Sequence, residues 1–79
     1  AAKTDAEVLG VNIVMLRRQN RLTQRNLENL TGLSHSELWR IENGTVNARL
    51  STLARLGQVF GLRVVDLFHP TVAVNGAAE

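Results

Sequence analysis

The sequence predicts an all-α fold, a compact bundle of five short helices. Two observations carry that expectation. Apolar residues recur three or four apart, rather than in alternation, from Leu9 to Phe60. The periodic segments are also punctuated by helix signals, with Thr23 and Ser34 before two of them and Gly32, Gly44 and Gly61 after three. At 79 residues the chain has room for one domain, expected over residues 1–79 with an ordered core at about 7–69 and a tail at 70–79. Folding at this size buries about 60% of the unfolded chain's surface, so the core is thin. There is no cysteine to staple it. Helix packing, supplemented by a partner subunit, must supply the stability.

Leu9, Ile13 and Leu16 predict a first helix from about Glu7 to Asn20, with Val8, Val11 and Met15 widening its apolar face toward a partner. Gly10 and Asn12 weaken its first turn. Thr23 offers an N-cap to a second helix, Gln24 to Thr31, whose Leu27 and Leu30 are expected to face the core. Gly32 suits a left-handed helix end, and Leu33 follows as an apolar plug. Ser34 and Glu37 stand at capping-box spacing before a third helix, in which Leu38 and Ile41 form the buried stripe. Asn43-Gly44 ends it, and Thr45 to Arg49 is a loop. Leu50, Leu53, Leu56, Val59 and Phe60 predict a fourth helix, stopped by Gly61. Val64 to Phe68 reads as a last helical turn or two, with Val65 and Phe68 inward; the β-branched Val64-Val65 pair leaves a strand open. After Pro70 the segment TVAVNGAAE is a short strand or a frayed end.

The second and third helices, joined at a tight glycine turn, make a helix-turn-helix motif, a device for placing a rigid helix in the DNA major groove. The charge agrees. Net charge is only +2, but all eight arginines lie between Arg17 and Arg63, against Glu28, Glu37 and Glu42 in the same span, a local balance of +5. Such a field attracts phosphate backbones; the bland alternative is a soluble basic surface. Nothing reads as a signal peptide or membrane span, because Gly10 and Asn12 interrupt the apolar run from Val8 to Leu16. The lack of cysteine fits a cytoplasmic protein. Two histidines without cysteine do not suggest a zinc site, and the glycines are spaced for turns rather than for a phosphate loop. No cofactor is expected. Ser36 beside His35 lacks a third orienting group, so no hydrolase is indicated and the chain is not expected to be an enzyme.

The whole ordered set of signs resembles the phage-repressor class of helix-turn-helix domains, the XRE type. They are Leu16-Arg17, Leu22-Thr23-Gln24, Leu27, Gly32-Leu33-Ser34, Leu38, Arg40-Ile41-Glu42-Asn43-Gly44, Leu53, and Gly61 through Leu67-Phe68, across about residues 9–68. The resemblance implies that Gln24 touches a phosphate and hydrogen-bonds toward the recognition helix, and that Ser34, His35, Ser36 and Arg40 meet DNA. It implies a buried ion pair between Arg17 and Glu42, and a loop, Asn43 through Thr45 to Asn47, whose backbone N–H groups approach a phosphate. Three positions depart from the pattern. Glu28 stands where alanine is usual and must reach solvent, find an arginine such as Arg25, or push the helices apart. Gly57 replaces another alanine, at a backbone cost of about 1 kcal/mol. Ala48 stands where proline is frequent.

The residues themselves support these roles. Gln24 sits at a helix N-terminus, where orphan N–H groups already favour phosphate. His35 and Ser36 lie in the first turn of the third helix, where side chains of an inserted helix reach base edges. Glu37 caps the helix, or accepts from cytosine N4. Arg40 shares a face with Ser36 and can grip guanine in a fork or hold a phosphate. Trp39 is expected at the core or its edge, with a subunit interface or the sugar–phosphate backbone as other seats. Pairing Arg17 with Glu42 avoids an unsatisfied charge in a dry place; the alternative is two unrelated surface charges. Arg18, Arg21 and Arg25 form a phosphate-facing rim, joined by Arg49, while Arg55 and Arg63 read as ordinary solvated charges.

The expected function is sequence-specific recognition of double-stranded DNA by a repressor-like transcriptional regulator. A homodimer would read a palindromic operator through half-sites about one helical turn apart. Its interface is expected around Val59, Leu62, Val65 and Phe68. Two alternatives stand beside it. One is an antitoxin or restriction-system controller that also binds a protein partner through the chain ends, Ala1–Glu7 and Thr71–Glu79. The other is a protein-interaction module without DNA binding.

Overall fold

The computed structural model describes residues 3–45 and 47–69. Over these the chain forms four α-helices and one closing 3₁₀ turn, with no strand among the described residues. The helices are α1 (Asp5–Gln19), α2 (Gln24–Thr31), α3 (His35–Glu42) and α4 (Leu50–Phe60); the 3₁₀ turn is Val64–Leu67. The segment expected as a fifth helix is therefore a single tight turn, and the strand reading of Val64-Val65 is not realised. The tail beyond His69 lies outside the described residues.

Three helices begin on a reciprocal cap. Thr4, Thr23 and Ser34 each accept a hydrogen bond from the backbone N–H three residues on, and the side chains of Glu7, Asn26 and Glu37 each accept one from the cap residue's own N–H. The first cap moves the start of α1 two residues before the expected Glu7. Its T-x-x-E spacing is plain in the sequence. Glu7's carboxyl is held below the usual glutamate range, first by the Thr4 backbone N–H and then by the Thr4 hydroxyl. At the far end of α1 the chain turns through Arg21 in the left-handed region (φ 56°), a conformation that costs a residue bearing Cβ.

The core gathers Leu9, Ile13 and Leu16 from α1, Leu27 from α2, Leu33 from the turn, Leu38 and Ile41 from α3, Leu53 and Leu56 from α4, and Leu67 from the 3₁₀ turn. Two expected inward residues prove outward. Leu30 is 60% exposed, because α2 spends its inner face on Leu27 and Thr31. Val65 is 55% exposed, because the three-residue period of the 3₁₀ turn brings Leu67 inward instead. Leu50, at the start of α4, is also exposed.

The residues expected to weaken the chain turn out to be close-contact positions. A Cβ on Gly10 would stand 2.6 Å from the Ile41 carbonyl oxygen and 2.7 Å from that of Glu42. Gly10 is thus the place where α1 receives the C-terminal end of α3. A Cβ on Gly57 would meet the Leu62 carbonyl oxygen at 2.5 Å, so glycine there is required by the chain's return after α4 and is not a mere propensity cost. Asn12 donates through Nδ2 to the Leu67 carbonyl at 2.9 Å, tying α1 to the 3₁₀ turn.

Candidate nucleic-acid interface

The α2–α3 turn is built from short-range hydrogen bonds. Gly32, at φ 77°, donates its N–H to the Glu28 carbonyl at 2.8 Å. The Thr31 hydroxyl donates to the Leu27 carbonyl at 2.7 Å and accepts the Leu33 N–H at 3.3 Å. No polar side-chain atom is stranded in the interior of the described residues. α3 then buries Leu38 and Ile41 completely enough to leave His35, Ser36, Glu37, Trp39 and Arg40 exposed. With its inner stripe against α1 and α2, the helix has a free polar side.

Its C-terminal end is locked. Arg17 Nε donates to Glu42 Oε2 at 2.7 Å, Arg17 Nη2 donates to Glu42 Oε1 at 3.2 Å, and Arg17 Nη1 donates to the Leu22 carbonyl at 3.1 Å. Gln24 Nε2 adds a bond to Glu42 Oε1 at 2.8 Å. The Glu42 side chain is only 4% exposed, so a nearly dry carboxylate collects three donors from α1 and α2. One network therefore fixes the angle of α3 against both of its neighbours. Gln24 reaches the far end of α3 rather than its first turn.

The first turn of α3 has a different restraint. Glu28 Oε2 lies 2.8 Å from His35 Nδ1. Of the outcomes expected for Glu28, none was this one: its partner is a histidine on α3, not Arg25. Ser34 accepts the Glu37 N–H at 3.1 Å, and the Glu37 carboxylate accepts the Ser34 N–H at 3.4 Å.

Three shallow depressions show which sequence-predicted residues come together. Gln24, Arg25 and His35 line a cleft of about 370 Å³ with Thr23 and Glu28. His35, Ser36 and Arg40 share one of about 230 Å³ with Trp39. Glu37, Arg40 and Asn47 line a groove of about 430 Å³ between α3 and the start of α4, together with Arg49 and Arg55. Arg18, in the last turn of α1, and Arg21, just after it, are exposed and line none of the three. Beyond α3 the backbone N–H groups of Asn43, Gly44 and Thr45 donate to Trp39, Ile41 and Arg40 carbonyls at 3.0, 3.1 and 3.0 Å, so these amides are already paired.

Two residues stand in surroundings that the sequence did not foretell. Trp39 is half exposed, on the outer side of α3 beside Ser36 and Arg40, because Leu38 and Ile41 take the whole inner stripe. Arg55 is exposed, as a solvated charge is, and also lines the groove with Arg40 and Arg49. Its signal was faint: α4 places Arg55 three residues beyond buried Thr52, beside the stripe that packs on α2.

The helix-turn-helix domain family matches residues 8–68, from the end of the first turn of α1 through the 3₁₀ turn. The chain belongs to the helix-turn-helix regulator family. It is related to the XRE-type, phage-repressor-like members, and this is a DNA-binding, transcription-regulating family rather than an enzyme fold. It is 37% identical over 65 residues to the uncharacterized HTH-type transcriptional regulator y4dJ of Sinorhizobium fredii, covering 82% of this chain and 84% of y4dJ. It is 34% identical over 73 residues to the HTH-type transcriptional regulator PuuR of Escherichia coli, covering 84% of this chain. The match spans only 40% of the length of PuuR. Among solved structures, the restriction-modification controller protein C.AhdI from Aeromonas hydrophila aligns with a TM-score of 0.76 at 28% identity, covering 81% of this chain and 97% of that one. The clp gene regulator ClgR from Corynebacterium glutamicum aligns with a TM-score of 0.79 at 22% identity, covering 99% and 86% of the two chains, which shows the shared fold. Among the described residues no cluster of three or more His, Cys, Asp or Glu could hold a metal ion, and no helix is long and apolar enough to cross a membrane.

Proposed function

We propose that this chain binds double-stranded DNA sequence-specifically and regulates transcription by occupying an operator. One observation carries the reading: α3 is locked at its buried end by the Arg17–Glu42–Gln24 network while His35, Ser36, Trp39 and Arg40 stand exposed along its outer side. A helix held so can enter the major groove without losing its angle to the rest of the fold. In this reading Ser36 and Arg40 reach base edges, with Trp39 against sugar or base edge. Gln24, Arg25, Arg18 and Arg21 hold phosphates on one flank, and Asn47, Arg49 and Arg55 do so on the other, the amides of Asn43 and Thr45 being already paired with α3 carbonyls. Ser34 and Glu37 fix the helix start that faces the groove. The regulator acts as a repressor-like homodimer on a palindrome. The exposed Val65, flanked by half-buried Val59, Leu62 and Phe68, is the proposed subunit contact.

The likeness to the controller protein C.AhdI favours one specific version, a controller of restriction-modification genes. Selection of bound sites from random duplex DNA, followed by salt titration of the winner, tests the proposal. A palindromic consensus whose affinity falls steeply with salt supports it. Equal weak binding to every duplex refutes it. Finding the consensus beside restriction and methylation genes selects the controller version, and its absence there rejects that version alone.

A further inference from the structure

The pairing of Glu28 with His35 has a consequence for base selection. The two side chains are unequally exposed, 68% for His35 and 18% for Glu28. The carboxylate is thus tucked into the cleft between α2 and α3, with the imidazole over it and largely in solvent. An ionised carboxylate offers only acceptors. The hydrogen in the 2.8 Å contact therefore sits on Nδ1, whatever the charge of the ring. A neutral imidazole has one N–H, so the opposite nitrogen, Nε2, is left as an acceptor.

We infer that Glu28 is a specificity-setting positioning residue: by holding the Nδ1 hydrogen of His35, it leaves Nε2 of the neutral ring as an acceptor for the amino groups of adenine or cytosine in the major groove. The inference rests on the proposed reading that α3 enters that groove. Adenine N6 and cytosine N4 donate there, whereas guanine O6 and thymine O4 only accept. A histidine free to exchange tautomers serves either class. One tied to a carboxylate serves the first and meets the second with two facing lone pairs. The charged groups around the ring leave this polarity intact. Arg25 lines the cleft on the α2 side and Arg40 the depression on the α3 side, and a guanidinium has no acceptor that could take the Nδ1 hydrogen from Glu28.

Two measurements test the inference, both in alkaline buffer with the ring neutral. Nitrogen-detected NMR of the His35 side chain reports which ring nitrogen carries hydrogen. The expected result is Nδ1–H in the parent chain and a tautomer mixture in Glu28→Ala. Site selection from a random duplex library is run in parallel on the parent, Glu28→Ala, Glu28→Gln and His35→Ala. The parent should show one column, per half-site, in which adenine or cytosine exceeds guanine or thymine by about tenfold, the effect of one net hydrogen bond. His35→Ala should abolish that column, and both Glu28 variants should flatten it while sparing the rest. Gln keeps the size of Glu but its amide satisfies either tautomer, so a flattened column there separates tautomer control from packing. An Nε2–H ring in the parent, a guanine or thymine preference in that column, or a column unchanged in both Glu28 variants overturns the inference. If the parent selects no sequence, the groove-reading assignment falls and the base preference with it; an Nδ1–H spectrum would then locate the failure in that assignment rather than in the tautomer.

Discussion

The two ends of α3 are restrained by opposite means. At the C-terminal end the helix meets Gly10 at backbone distance, and Glu42 lies nearly dry among three donors. At the N-terminal end the cap is made by Ser34 and Glu37, both exposed, and among the described residues the one side-chain bond to another helix is the Glu28–His35 pair, whose imidazole is largely in solvent. Rigidity is concentrated where the helix leaves the surface, and chemistry where it meets solvent. A groove reader needs this division: its angle is set chiefly by the buried Arg17–Glu42 pair, and its contacting side chains remain available.

The largest blow to the comparison should come from Arg17→Met. Removing one partner of a buried pair costs about 3–5 kcal/mol. The lower end is expected, since Gln24 still donates to Glu42. Urea denaturation measures it, and a loss below about 1 kcal/mol would show that the lock contributes no more than an exposed ion pair. Gly10→Ala strikes the same end without touching charge. Its Cβ would lie 2.6 Å from a backbone oxygen, so α1 and α3 must part, at about 2–3 kcal/mol by the same assay. A neutral or stabilising result would mean that the helices have slack there.

Arg40→Ala should do the reverse, leaving the denaturation midpoint in place while weakening the selected duplex by about 1–3 kcal/mol. If the loss on random DNA is equal, Arg40 holds phosphate rather than a base. The smallest effect concerns the cap of α1. Glu7's carboxyl is depressed by Thr4, so its contribution is present above the ordinary glutamate range and fades as pH falls through the lower folded value. Amide exchange in the first turn of α1, corrected for intrinsic rate, should quicken on that acid side.

Much of this architecture is legible in the sequence because it depends on neighbours in the chain. Caps at Thr23 and Ser34, the left-handed Gly32, and the stripe of Leu38 and Ile41 are local matters of spacing. Thr4 and Glu7 were equally legible by the same rule. The misplacements have a common cause. Leu30, Val65 and Trp39 are apolar residues beside a stripe, and a period alone cannot tell how wide the buried face of a short helix will be.

The order of the short helices, their turns, the caps at Thr23 and Ser34, and the polar side of α3 could be read along the chain alone. These follow from interactions over three or four residues. Packing made Gly10 and Gly57 contact points rather than weaknesses, tied Asn12 of α1 to the closing turn, and brought Glu28 to a histidine. Each of these rests on atoms brought together by packing from separate elements, at distances that no local pattern encodes.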